Sequence, residues 1–215
     1  MVTRCEWVPA GDEVYVAYHD LEWGVPIRDE RALFELLTLE GAQAGLSWRT
    51  ILGRREGYRA VFAGFDPEAV AGWDDSQVAA ALADTRIVRN RLKVYSTRDN
   101  ARAVVRLREA GDDLGRVLWD VVDGRPLVNA WETVGQVPAS TPEAAAMSRT
   151  LRGLGFRFVG PTICYALMQS AGLVDDHVVS CFRYGQAGAV RGSAGPAFMT
   201  DVPPGDATGR RGRLS

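Results

Sequence analysis

The sequence predicts an all-α fold, a helical bundle of two lobes sharing a cleft. Three observations carry this. Apolar residues recur with helical spacing from residue 13 to residue 174; Asp, Thr and Pro punctuate the helix starts; no segment alternates apolar and polar residues strongly enough to compete as a strand. At 215 residues with 47% hydrophobic composition, the chain can bury one sizeable core or two small lobes.

The elements follow in order. EVYVAYHDLEW (13–23) forms a brief helix that ends at the Gly24 to Pro26 turn. Asp29 caps a long segment with Leu33, Phe34, Leu36, Leu37, Leu39, Ala42 and Leu46 on or near one face, which reads as a buried helix. WRTILGRREGYRAVFAGF (48–65) continues helically, with Ile51, Leu52, Tyr58, Val61 and Phe62 on one side and basic residues on the other. DPEAV (66–70) offers an N-cap followed by proline, and 75–84 begins a further short helix. The longest amphipathic stretch, 89–111, stops at Gly111, and 113–123 is helical before a GRP turn. Residues 125–140 read as a loop crossing between lobes. Thr141 and Pro142 then start a helix that GFRFVG interrupts, and 161–174 resumes it. The expected organisation is one domain over 1–185 and a disordered Gly-, Pro- and Arg-rich tail over 186–215.

Composition narrows the function classes. No run of eighteen apolar residues exists and the N-terminus carries turn and acidic residues, so a cytoplasmic protein without a membrane segment is expected. Cys5, Cys164 and Cys181 are too few for a disulfide framework, which leaves reduced thiols or metal ligation. The net charge of −2 gives no long-range attraction for a polyanion, although Arg and Lys cluster at 49–59, 86–93, 149–157 and 209–213.

At the joint between the last two helices, Gly155 and Gly160 bracket a tight turn, while Phe156, Phe158 and Val159 supply apolar side chains to pin it. The following helix starts at Pro161 and Thr162, where free N–H groups and the helix dipole suit one phosphate. This resembles the helix-hairpin-helix element that grips a DNA backbone in repair glycosylases; an ordinary corner between packed helices is the alternative.

Two histidines and two cysteines form widely separated pairs, Cys5 with His19 and His177 with Cys181. If DDHVVSC (175–181) is helical, the second pair shares a face one turn apart. A Cys2His2 metal site clipping the chain's two ends, two inert buried pairs, and a Cys-His nucleophilic dyad are all compatible with the spacing.

The segments RCEWV (4–8), YVAYHDLEWGVP (15–26), LFELLTLEGAQAGLSW (33–48), FDPEAVA (65–71) and RGLGFRFVGPTICYALMQSAGLVDDHVVSC (152–181) together resemble the 3-methyladenine DNA glycosylase I family of the helix-hairpin-helix superfamily. The resemblance covers residues 4 to about 182. It implies a helix-hairpin-helix at about 143–174, with Gly155, Phe158, Gly160 and Thr162 at the DNA backbone. It implies a structural zinc held by Cys5, His19, His177 and Cys181, joining the N- and C-terminal segments. Trp7, Tyr15, Tyr18, Trp23 and Trp48 match the family's aromatic base pocket, and Glu40 its buried carboxylate; Gly41 and Gly45 beside Glu40 would let a ligand approach the backbone. Aromatic faces and a carboxylate both favour a methylated, cationic adenine over a neutral one.

The implied activity is hydrolysis of the N-glycosidic bond of 3-methyladenine in alkylated double-stranded DNA, after base flipping, by a monomer with no nucleotide cofactor and no strand-cleaving lyase step. Where the family usually has asparagine this chain has Asp175, which either assists catalysis beside Glu40 or serves as a helix cap or hydrogen-bond neighbour of His177. Two rival functions share these residues: excision of bulkier N3 or N7 alkylpurines, and a catalytically silent zinc-stapled module that binds DNA damage.

Overall fold

The computed structural model describes residues 2–187, and the regular structure among them is almost wholly helical. The ten α-helices are α1 Glu13–Leu21, α2 Glu30–Gln43, α3 Trp48–Leu52, α4 Arg55–Val61, α5 Pro67–Ala71, α6 Asp75–Ala83, α7 Arg91–Glu109, α8 Leu114–Trp119, α9 Pro142–Gly153 and α10 Pro161–Ser170. The caps stand where the sequence places them. Asp29 accepts from the Ala32 amide at 2.9 Å, and Thr141 accepts from Ala144 at 3.2 Å.

α2 is the central post. Every residue from Ala32 to Ala42 is buried, as expected of a helix surrounded by others, and α3, α7, α8 and α10 pack against it. Apolar packing is continuous from Ile27 through Val174, so the molecule has one main core in place of the two lobes expected. A second, small apolar cluster of Cys5, Val178 and Cys181 lies where the two ends of the chain meet, flanked by Trp7, Trp23 and Trp131.

Three local expectations change. The 48–65 segment breaks twice: Gly53 ends α3, with its amide bonded to Arg49 O, and Ala63, Gly64 and Phe65 take left-handed φ values of 52°, 62° and 58°. Burial of Phe65 against Phe34 and Phe62 compensates that backbone cost. The 125–140 loop contains β1 (Leu127–Val128), which pairs in parallel with β2 (Val174–Asp175). Two-residue strands are too short to print an alternating pattern. α10 stops at Ser170 because the chain turns at Gly172, φ +69°, where a Cβ would sit 2.5 Å from Pro26 N. Only glycine lets the 24–27 strap lie across the end of α10, where Gly24 N bonds Gln169 O at 3.1 Å and Ile27 N bonds Ala171 O at 3.0 Å.

Among the described residues no helix is long and apolar enough to cross a membrane. The expected disordered tail lies, beyond Ala187, outside the described residues.

Candidate functional site

The strap and the C-terminal turn bring four ligand-type residues together. The ligand atoms of Cys5, His19, His177 and Cys181 all lie within 4.8 Å of one another, and all four residues are buried. Cys5 Sγ and Cys181 Sγ stand 3.5 Å and 3.6 Å from His177 Nδ1, and Cys181 Sγ stands 3.5 Å from His19 Nε2. This is a donor set that can hold a metal ion. The expected helix through 177–181 is absent. Residues 176–178 are irregular and a turn follows, with Cys181 N bonded to Val178 O at 2.8 Å, so a tight turn and not a helical face presents the pair.

Burial pushes the Cys5 thiol up to about 12 and the His177 imidazole down to about 4. Both groups therefore prefer neutrality until a cation arrives, and a bound cation reverses that preference for the thiols.

Beside the cluster opens a cavity of 310 Å³, within the size range of small-molecule sites. Its lining includes all six residues expected to form a base pocket: Trp7, Tyr15, Tyr18, Trp23, Glu40 and Trp48. α1 presents Tyr15 and Tyr18 one turn apart, α2 presents Glu40, and Ser47, capping α3 through the Thr50 amide, sets Trp48 at the first helical position. The rings brace one another edge to face: Trp7 meets Trp23 at 5.0 Å and 74°, and Tyr15 at 5.8 Å and 66°. Trp7 also abuts His19 at 5.3 Å, which joins this wall to the Cys/His cluster.

Glu40 is one of two buried acids that line the cavity, 5% exposed, and burial raises its pKa to about 8 with Ser170 opposing the shift. Its neighbour Gly41 does not open the backbone to a ligand as expected. A Cβ there would lie 3.3 Å from Phe158 Cβ, so the close approach is between α2 and the hairpin turn, and the space around Gly45 is open.

Asp175 lies outside the cavity. Fully buried, it accepts from the amides of His177 at 3.1 Å and Gly185 at 2.9 Å, the geometry of a turn cap, and its placement does not support a role at the reacting centre. The adjacent Asp176 lines the cavity instead. Its Oδ1 accepts from Asn129 Nδ2 at 2.7 Å and Trp131 Nε1 at 2.8 Å, and its Oδ2 from the Tyr165 hydroxyl at 2.5 Å and Gln169 Nε2 at 2.7 Å. Sequence reasoning also missed Gln43, Gln169, Val134 and Val137 in the lining. No local pattern marked Asp176, because its place in the lining depends on residues distant in sequence that converge on it.

The expected phosphate-gripping joint is a compact turn between α9 and α10. Gly155 and Phe158 adopt φ of +89° and +55°, Gly160 stands at the N-cap of α10 with no side chain to cap it, and Thr162 is exposed. Asn100 of α7 clamps the turn twice, donating to Arg157 O at 3.1 Å and accepting from Arg157 N at 2.8 Å, while Ser148 donates to Val159 O at 2.6 Å.

Comparison with known proteins agrees with this architecture. A family profile described as methyladenine glycosylase matches residues 7–184. DNA-3-methyladenine glycosylase 1 of Escherichia coli (strain K12) is 46% identical over 181 residues, which cover 84% of this chain and 96% of that protein. A crystal structure of 3-methyladenine DNA glycosylase I (TAG) superposes with a TM-score of 0.83 at 45% identity, covering 85% of this chain and 100% of that one. A variant of 3-methyladenine DNA glycosylase I in complex with 3-methyladenine superposes with a TM-score of 0.77 at 34% identity, covering 80% and 92% of the two chains. With the fold, the aromatic cavity and the matched length in agreement, the chain belongs to the methyladenine glycosylase family.

Proposed function

We propose that this protein is a base-excision repair glycosylase that hydrolyses the N-glycosidic bond of 3-methyladenine in alkylated duplex DNA. The observation that carries the reading is the conjunction of Glu40, a buried carboxylate, with five aromatic side chains around one cavity. A flipped base methylated at N3 is cationic. Tryptophan and tyrosine faces attract it, and Glu40 accepts hydrogen bonds from its exocyclic amine. Neutral adenine gains little from either.

The cation also changes Glu40 itself. Burial favours the protonated carboxyl at neutral pH. A positive ligand favours the carboxylate, so binding and ionisation support each other. Because the alkylated purine leaves as a neutral base, the leaving group needs little acid catalysis, and water completes the hydrolysis without a lysine nucleophile.

The Cys/His cluster is read as a structural zinc site. Zinc at about 2.3 Å from sulfur and about 2.0 Å from nitrogen, with tetrahedral angles, separates S from N by about 3.5 Å. Three of the four S to N distances here are 3.5 to 3.6 Å. Four protein ligands leave no position for a reacting water, so the metal supplies a clip and no chemistry. The α9–α10 turn is read as the helix-hairpin-helix that holds a phosphate at the uncapped start of α10.

The test is chromatographic analysis of bases released from methylated duplex DNA by wild type and Glu40→Gln. Release of 3-methyladenine by wild type, reduced about 10- to 100-fold by the substitution, is the expected result for loss of one charge-assisted contact. Release of no base by folded, zinc-loaded protein contradicts the reading.

A further inference from the structure

Each histidine of the cluster has a second ring contact, and the two contacts differ. His177 turns Nδ1 to the sulfurs and Nε2 to the backbone oxygen of Trp23, 3.3 Å away. His19 does the reverse: Nε2 faces Cys181 Sγ at 3.5 Å, and Nδ1 lies 2.8 Å from Asp20 Oδ1. An ionised carboxylate can only accept, so this contact places the proton on Nδ1 and leaves the Nε2 lone pair directed into the cluster.

Asp20 is itself held. Arg4 Nε lies 2.8 Å and 3.0 Å from its two oxygens, and Arg4 Nη2 lies 2.6 Å from Oδ2. This forked arrangement fixes the plane of the carboxylate and thereby the ring of His19. Arg4 adjoins Cys5 and Asp20 adjoins His19, so the pair ties together two successive ligands fourteen residues apart. Among the described residues, Asp20 and the two cysteines are the side chains that hydrogen-bond the histidine rings.

We propose that Asp20, locked by Arg4, is the outer-sphere positioning residue that commits His19 to metal ligation through Nε2 and sets the affinity of the site. This rests on reading the cluster as a zinc site. His177, backed by a neutral carbonyl, is the weaker donor of the two, and the charge supplied through His19 offsets it.

The test uses the full chain as wild type, Asp20→Asn and Arg4→Gln. Zinc affinity is measured by competition with a chromophoric chelator, the thermal midpoint of each metal-free protein is recorded, and the visible spectrum of the cobalt(II)-substituted protein is compared. Asp20 is 19% exposed and asparagine is nearly isosteric, so folding is retained. The expected result is zinc affinity 10- to 100-fold weaker in Asp20→Asn, a smaller loss in Arg4→Gln, a shifted cobalt spectrum in both, and metal-free midpoints within about 2 °C of wild type. Zinc affinity unchanged within about twofold overturns the proposal. So does a loss matched by an equal drop in metal-free stability, which assigns the pair to packing alone. Wild-type protein that takes up no zinc overturns the metal reading itself, and the proposal with it.

Discussion

His177 Nε2 lies 3.3 Å from the carbonyl oxygen of Trp23, so one side chain faces the Cys/His cluster with one nitrogen and the wall of the aromatic cavity with the other. The ring planes of the two residues also meet edge to face at 4.6 Å. A metal held by the cluster would be coupled to the shape of the cavity through this contact.

Metal removal is therefore expected to act on both stability and the cavity. Chelation should lower the thermal midpoint by about 10 °C or more, the scale of a few kcal/mol in a chain of this size, and change tryptophan emission as Trp7 and Trp23 loosen. Restoring zinc should recover both signals. Differential scanning calorimetry and fluorescence, with and without chelator, make the check.

Gly24 is where this junction tolerates no side chain. Its φ is +77°, and a Cβ would stand 3.0 Å from His177 Nε2. Gly24→Ala should cost about 1–3 kcal/mol, from backbone strain and displacement of the imidazole, and should weaken metal retention in parallel. Urea denaturation of the zinc-loaded variant measures the first effect and chelator competition the second.

Glu40 gives a pH dependence of definite sign. Its folded pKa, about 8, lies above the ordinary carboxyl value, so its contribution to stability is fully present below that ordinary value and is lost as pH rises through about 8. Glu40→Gln should remove that loss and gain stability over wild type as pH increases from about 5 to 8, with no further gain above. Activity runs the other way, because the ionised form receives the cation. Wild-type kcat/KM should climb through pH 7 and level off above about 8, while the variant's profile is low and flat over that range. Parallel melting and single-turnover pH series distinguish the two effects.

The paired acids separate a cap from a cavity residue. Asp175→Asn keeps an acceptor for the His177 and Gly185 amides and should change the excision rate by less than about threefold. Asp176→Asn directs an amide N–H at donors already aimed inward, from Asn129, Trp131, Tyr165 and Gln169, and should cost about 1–3 kcal/mol with a larger loss of excision. A tenfold or greater fall in single-turnover rate for Asp175→Asn alone reverses this assignment.

Much of the helical frame was legible because many starts are chemically marked: Asp29, Asp66 and Thr141 cap where their side-chain oxygens can reach free amides. The cavity residues were legible through the family resemblance: Tyr15 and Tyr18 sit on α1, Glu40 on α2 and Trp48 on α3, while Trp7 and Trp23 flank α1. What stayed hidden depends on contacts between distant segments. The β1–β2 bridge joins residues 127–128 to 174–175, and Asp176 becomes a cavity residue only when Asn129, Trp131, Tyr165 and Gln169 converge on it. The Cys/His spacing suggested a shared helical face at 177–181, and a turn reaches the same convergence with a different backbone.

The most direct measurement is the identity of the base released when zinc-loaded wild-type protein acts on methylated duplex DNA. The account predicts free 3-methyladenine, intact strands, and a release rate that falls about 10- to 100-fold in Glu40→Gln. DNA binding without release of any base, or release unaffected by that substitution, contradicts it.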